Sequence, residues 1–148
     1  MTRNIRRERH GRIAAVLEDS FPNIAKQSPE ILAQHFDLAK DHAKALRYWE
    51  QAGRLAMEHS ATTEALSHLG RALSALEKES TQTDYTQRKI SLLTTYGAAL
   101  TSVKGYTAPE TVAAYEEAWE LSDFGEDKTC FHEILYGMWN SAQVGSDY

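Results

Sequence analysis

Apolar residues recur three and four positions apart along most of this sequence, and this spacing narrows the possible folds more than any other feature. Such spacing places apolar side chains on one face of an α-helix. The clearest runs are Leu46, Trp49, Ala52 and Ala56; Ala65, Leu69, Ala72 and Leu76; Leu93, Tyr96, Leu100 and Val103; and Tyr115, Ala118 and Leu121. No run of β-branched and aromatic residues alternates with period two over the length of a strand. The sequence therefore predicts an all-α protein.

Local signals divide these runs into seven predicted helices. Ser28 precedes Pro29, which suits a first helical position, and Asp41 and Ser60 stand where the next two helices can be capped. The predicted helices cover residues 3–20, 29–40, 42–58, 61–77, 84–103, 108–122 and 128–142. Residues 79–86 form the longest polar segment between them and are predicted as a loop inside one array.

Composition excludes several classes of protein. The single Cys130 cannot form an internal disulfide or supply four thiolates to a zinc or iron–sulfur site, which favours the reducing cytoplasm. No segment reaches the roughly 18 to 20 consecutive apolar residues of a membrane span, and residues 1–12 lack the apolar core of a signal peptide. We therefore expect a cytoplasmic protein without a membrane partner.

Positive charge is concentrated at the beginning of an otherwise acidic chain. Residues 1–12 carry five arginines against Glu8, a charge of +4; because the net charge is −5, the remainder carries −9. The helical pattern continues from these arginines into Ile13 and Val16, so we interpret them as the solvated face of a first amphipathic helix. The alternative, a basic arm for nucleic acid, has no other support because the acidic remainder repels phosphates. We therefore predict no nucleic-acid partner.

Motifs for catalysis and ligand binding are missing or incomplete. The sequence contains no glycine-rich phosphate loop and no G-x-S-x-G nucleophile elbow. His132 and Glu133 begin like the zinc-binding H-E-x-x-H motif, but Tyr136 stands in place of the second histidine. The adjacent acids Glu116 and Glu117 point in different directions on a helix. We predict no catalytic, cofactor-binding or metal-binding residue, and no enzyme activity in this segment.

Small and large residues are spaced as in a helical repeat. Trp49 lies four residues before Gly53, and three further residues follow that glycine at offsets of 12, 16 and 19, namely Ala65, Leu69 and Ala72. These positions resemble the tetratricopeptide pattern, in which small residues let two antiparallel helices approach and large ones fill the space between turns. A helical bundle without a repeat is the alternative.

A second and longer copy of this pattern follows. On its first helix the copy is marked by Leu93, Gly97 and Leu100. On its second helix it is marked by Ala118 with either Ala114 or Tyr115, and these positions are displaced by about two residues from the offsets of the first repeat. The glycines at 53, 97 and 137 are 44 and 40 residues apart, longer than the common tetratricopeptide period of about 34. We therefore predict one irregular tetratricopeptide-like α-solenoid over residues 1–148. Its parts are leading helices at 1–40, a first repeat at 42–77, a second at 84–122, and the first helix of a truncated third repeat at 128–148.

Three short motifs carry a wider resemblance: L-A-x-H at 32–35, Y-W-x-x-A-G at 48–53 and K-G-Y-x-A-P-E at 104–110. Together they resemble the helical region that follows the ATPase module of large bacterial signalling proteins, including class III adenylate or guanylate cyclases and related transcriptional regulators. The resemblance implies that the chain is a fragment of such a protein, with the catalytic domains before it and further repeats after it. None of the functional motifs of those domains lies in these residues.

The resemblance implies a non-catalytic, regulatory or protein-interaction module. Its partner is expected to be a protein, a peptide or a neighbouring domain of the same chain; the alternative is a stand-alone adaptor. Repeats that clamp a peptide carboxylate use an asparagine after the helix glycine, but Arg54 and Ala98 occupy those positions, which disfavours such a clamp. The apolar face of the last predicted helix predicts a homodimer; its residues are Ile134, Leu135, Met138 and Trp139.

Overall fold

A computed structural model describes residues 2–79 and 84–122, together with Tyr136, Trp139, Ala142 and Gln143. Within these residues there is no strand, and seven helices account for most of them. They are α1 (Thr2–Ser20), α2 (Pro22–Gln27), α3 (Pro29–Leu38), α4 (His42–Glu58), α5 (Thr62–Lys78), α6 (Tyr85–Lys104) and α7 (Pro109–Ser122). The prediction of an all-α protein is confirmed. No described helix is both long enough and apolar enough to cross a membrane.

The sequence-based prediction missed α2, which is the shortest helix. Its six residues start at Pro22, a residue that suits the first turn of a helix. Six residues are less than two turns, so they cannot display the apolar periodicity on which the prediction depended. The predicted loop at 79–86 is also partly wrong, because α6 already begins at Tyr85; residues 80–83 lie outside the described part of the chain.

The ends of α3 and α4 share one turn geometry. Lys40 and Ser60 both have a left-handed backbone, with φ of 63° and 59°. In each turn the next amide reaches back five residues, from Asp41 to the Phe36 carbonyl (2.9 Å) and from Ala61 to the Ala56 carbonyl (2.8 Å). This geometry ends a helix, and it explains why α3 stops at Leu38 instead of residue 40.

The two predicted caps of α4 and α5 have different outcomes. Asp41 does cap α4, since its carboxylate accepts a hydrogen bond from the Lys44 amide at 3.3 Å. Ser60 does not cap α5, because it is the left-handed residue of the preceding turn and Ala61 occupies the N-cap position.

Packing follows the order of the chain. From α3 to α7 each helix packs against the next one, and α1 lies against α3 and α2. The main core extends from α1 to α6 and contains Trp49, Leu46 and Leu69; a smaller cluster formed by Ile90, Leu93 and Ala118 joins α6 to α7. Apart from Ile90, these residues come from the periodic apolar runs, and the predicted faces of α4 and α5 are buried. The face predicted for α1 is wrong, because Ile13 and Val16 are 44% and 54% exposed, and Val103 near the end of α6 is also exposed.

Two glycines let the helices of a pair approach closely. A Cβ atom on Gly53 would lie 2.6 Å from Cδ2 and Cγ of Leu69, and one on Gly97 would lie 2.8 Å from Cζ of Tyr115. Both distances are too short for ordinary packing, so a side chain at either position would force its neighbour to move. The helix pairs α4–α5 and α6–α7 therefore each contain a close contact between a glycine and a large residue. In the second pair, Tyr115 rather than Ala114 lies opposite Gly97.

Candidate functional site

An open groove lies on the face of α4 that points away from the core. Its lining residues come from α2, α4 and α6: Lys26, Arg47, Glu50, Gln51, Arg54, Leu55, Glu58 and Arg88. On α4 these positions alternate with the buried ones that face α3 and α5, such as Trp49 and Gly53. The amphipathic pattern of α4 therefore leaves polar and charged side chains on the groove side.

A carboxylate shared by two arginines lies in this groove. Glu50 accepts a hydrogen bond from Nη2 of Arg54 at 2.7 Å and a longer one from Nη2 of Arg88 at 3.5 Å. The Glu50 side chain is only 16% exposed, against 57% for Arg54, so the guanidinium groups cover the carboxylate. Because Arg88 belongs to α6, this cluster links the first helices of the two helix pairs.

The groove is positive although the chain is acidic. Four of its lining residues are cationic (Lys26, Arg47, Arg54 and Arg88) and two are acidic (Glu50 and Glu58), a balance of +2. The net charge of the chain is −5. This excess of positive charge favours a partner that presents acidic groups.

A second carboxylate joins α1 to α4 beside the groove. Glu18 accepts hydrogen bonds from Lys44 Nζ and from the Tyr48 hydroxyl, both at 2.9 Å, and Arg47 lies 3.4 Å away. Burial acts to raise the pKa of Glu18, but the hydrogen bonds from Lys44 and Tyr48 and the two positive charges outweigh it and lower this pKa. Glu18 therefore stays ionised and fixes one side of the groove.

The corresponding face of α6 is uncharged. It forms a shallow concavity lined by Thr94, Thr95, Ala98, Thr101, Ser102, Tyr106, Tyr115 and Tyr136. The hydroxyls of Thr95, Thr101 and Ser102 each donate to the carbonyl four residues earlier in the helix. With their protons engaged in this way, these oxygens offer mainly acceptor sites to the solvent. The faces of α4 and α6 thus differ in chemistry, as Arg54 and Ala98 already differ in the sequence.

The histidines do not form a metal site within the described residues. His59 and His68 line one surface depression together with Glu30 and Glu64. However, no three histidine, cysteine, aspartate or glutamate side chains in the described ranges are placed to hold a metal ion. His68 instead stacks on Trp49 with ring centres 5.4 Å apart, and burial lowers its pKa. His132 and Glu133 lie outside the described residues, whereas Tyr136 is described and exposed.

Two histidines that are far apart in sequence meet between α1 and α3. Their Nδ1 atoms, on His10 and His35, lie 2.9 Å apart, and their ring centres are 5.1 Å apart. This hydrogen bond requires a neutral ring as the acceptor. Burial lowers the pKa of His35, and the charge of His10 lowers it further. Sequence patterns could not predict this pair, because 25 residues separate its members.

The histidine pair makes stability depend on pH. The ring of an unfolded histidine titrates near 6.5, above the lowered pKa of His35 in the folded protein. Folding is therefore favoured above pH 6.5, and this contribution is lost as the pH falls through about 6.5 toward the folded-state pKa. We expect the Tm of the parent protein to drop as the pH is lowered through this interval. In His35→Gln, which lacks the titrating ring, the drop in Tm should be smaller.

The pKa of His35 provides a direct check on this prediction. In His10→Ala the electrostatic effect of His10 is absent, so we expect an NMR titration of the His35 ring to give a higher pKa than in the parent. The ring of His68, whose pKa is lowered by burial elsewhere in the structure, is the internal control. An unchanged pKa for His35 in this variant would contradict the contact.

No protein-family model, curated protein or solved structure matches this sequence. Function is therefore inferred from the groove and from the way the helices pair. Arg54 was identified from the sequence as the residue after the helix glycine. The groove itself was not, since Lys26 and Arg88 come from other helices.

Proposed function

We propose that this chain is a non-catalytic helical module that binds an acidic protein or peptide segment in the groove of α4. The observation that carries the proposal is the cluster in which Glu50 joins Arg54 on α4 to Arg88 on α6. The cluster lies on α4 and α6, the first helices of the pairs α4–α5 and α6–α7, and each pair contains a close contact between a glycine and a large residue. Such pairing fits a tetratricopeptide-like solenoid, in which the first helices of successive repeats line the binding surface.

The charge of the groove supports an acidic partner. Arg47 and Arg54 are well exposed and lie beside carboxylates that already neutralise part of their charge. Because the guanidinium groups of these pairs are exposed, a partner carboxylate can reach both arginines and compete with Glu18 and Glu50 for them. Arginine also suits this exchange because its planar guanidinium can hold a carboxylate through two parallel hydrogen bonds.

Site-specific photocrosslinking in cells of the source organism tests this proposal. A photoreactive amino acid at Gln51 or Arg54, both in the groove, should capture one and the same polypeptide. The matched controls are Ser67 and Ser74, which are exposed on α5 and lie outside the groove. We expect them not to capture that polypeptide. Capture of the same polypeptides from both sets of positions, or capture from neither, would contradict the proposed surface.

Charge reversal then measures how much the groove contributes. Arg54→Glu should weaken binding of the captured partner by about 10-fold or more, since a lost ion pair becomes a like-charge contact. The matched control is Arg71→Glu, an equal change of charge on α5. Arg71 lies over the Trp49 ring with its guanidinium carbon 4.8 Å from the ring centre, so circular dichroism must first show that both variants fold.

The wider setting of the module follows from the resemblance in its motifs. We propose that it regulates a cytoplasmic ATPase-containing signalling protein, such as a nucleotide cyclase, to which it is joined; the alternative is a free adaptor. In the first case, deleting this region changes the rate of ATP turnover by that protein. An unchanged rate would overturn the regulatory role. Self-association through residues 128–148 is part of the same proposal, and light scattering at high protein concentration tests it.

A further inference from the structure

A further pocket, separate from the groove, lies where the start of α1 meets the end of α3. Its polar lining consists of Arg3, Asn4, Arg6, Arg7, His10 and Lys40. Four of these residues are permanently charged, one is a histidine, and none is acidic. The pocket therefore carries a charge of +4 when His10 is neutral, although the chain as a whole carries −5.

In the described part of the chain, the four cations of this pocket lack the carboxylate partners that several cations on the later helices have. Lys44, Arg54, Arg88, Lys89 and Lys104 each lie within 4.0 Å of a glutamate oxygen. Within residues 2–79 and 84–122, Arg3, Arg6, Arg7 and Lys40 form no ion pair. Glu8 and Asp41 line the adjoining depression, but within these ranges neither forms an ion pair with the four cations. Like charges without an acid in direct contact repel one another, and a bound anion relieves this repulsion.

The backbone explains why these side chains come together. Arg6 and Arg7 lie three and four residues after Arg3, and His10 lies four and three residues after them, so all four share the face of α1 that lies on α3. Nε of Arg7 donates to the Ala39 carbonyl at 2.8 Å, which also satisfies an acceptor at the end of α3. Lys40 follows in the left-handed turn, with φ of 63°, which ends α3 at this point. The pocket is thus built from two helices that are already fixed to each other.

We propose that this pocket binds the phosphoryl group of a small phosphorylated anion. Guanidinium groups match phosphate oxygens with paired, charge-assisted hydrogen bonds, and lysine and histidine add further donors. A single carboxylate carries one negative charge and would neutralise only a quarter of the charge of the pocket. A diphosphate carries two to three negative charges and several acceptor oxygens, so it matches both the charge of the pocket and the number of its hydrogen-bond donors.

Titration of the full chain with inorganic pyrophosphate at low ionic strength tests the site. We expect saturable binding by calorimetry and movement of the His10 and His35 ring signals in NMR spectra. The double variant Arg3→Gln/Arg6→Gln should raise the Kd by about 10-fold or more, because charge-assisted hydrogen bonds are lost. The matched control, Arg9→Gln/Arg12→Gln, removes the same charge from the same helix outside the pocket and should change the Kd by less than about 2-fold.

Each outcome decides for or against the site. Absence of saturable pyrophosphate binding overturns the proposal. Equal weakening of binding in both double variants also overturns it, because pyrophosphate would then be attracted to the basic helix as a whole and not to this pocket. Lys40→Asn, on the other side of the pocket, must weaken binding as well. Citrate binding as tightly as pyrophosphate overturns the phosphoryl assignment. Vesicles containing phosphatidic acid show whether the phosphoryl group belongs to a lipid or to a free anion. Tighter binding to the vesicles, weakened by the same variants, indicates a lipid headgroup, and tighter binding to pyrophosphate indicates a free anion.

Discussion

Replacing Trp49 by alanine is expected to lower the free energy of unfolding by about 3–5 kcal/mol, the range for a fully buried large aromatic side chain. Trp49 is 1% exposed and lies in the main core. Its ring stacks on His68 and lies under the guanidinium of Arg71, so the substitution leaves a cavity and also removes these two contacts. Urea denaturation followed by circular dichroism measures the change.

The matched control for this variant is Trp139→Ala. Trp139 is 59% exposed, and substitution of a surface residue is expected to change stability by less than about 0.5 kcal/mol. Equal denaturation midpoints for Trp49→Ala and the parent would show that the described core is wrong. Comparing the two tryptophan variants also separates loss of packing from loss of an aromatic residue as such.

Gly53→Leu is expected to lower the free energy of unfolding by at least about 1–3 kcal/mol, the usual cost of overpacking a filled core. A Cβ atom at this position would already lie 2.6 Å from Cγ of Leu69, an atom close to the α5 backbone that cannot move far. The remaining atoms of the leucine therefore require α4 and α5 to separate. Denaturation in urea again provides the measurement.

Alanine at two glycines provides a matched comparison. Gly70 lies in α5, and a Cβ atom added to it would lie 4.0 Å from its nearest neighbour, Cε2 of Tyr96. Gly70→Ala should therefore stabilise the protein by up to about 1 kcal/mol through helix propensity. Gly53→Ala gains the same propensity but suffers the contact with Leu69, so we expect it to be less stable than Gly70→Ala by more than about 1 kcal/mol, the size of that gain. Equal stabilisation by both would refute the close approach.

Much of the helical framework was predictable from the sequence, because its information is local. The periodic run from Leu46 to Ala56 predicted α4 at residues 42–58, and the structure places α4 there. Gly53 and Leu69 were both singled out by their spacing, and the structure brings them into contact, since small and large residues on facing helices must interlock. Ser60 was misjudged as a cap because nothing local distinguishes a capping serine from one in a left-handed turn.

The surfaces were less predictable because they join residues from distant parts of the chain. The groove needs Arg88 of α6 beside Glu50 of α4, and the histidine pair needs α1 to lie against α3. Helix periodicity shows which face of a helix is buried, but it does not show which other helix lies beside that face. The basic residues of α1 were correctly placed on a helix, yet their convergence with Lys40 required the turn after α3.

The shared carboxylate of Glu50 connects the groove to the packing of the two helix pairs. One acid serves two arginines on different helices, so an acidic group that takes Arg54 from Glu50 leaves the same carboxylate to Arg88. If the proposed partner takes Arg54 in this way, we expect the contact between α4 and α6 to tighten. On the proposed function, occupancy of the groove would therefore change how firmly one helix pair is held to the next.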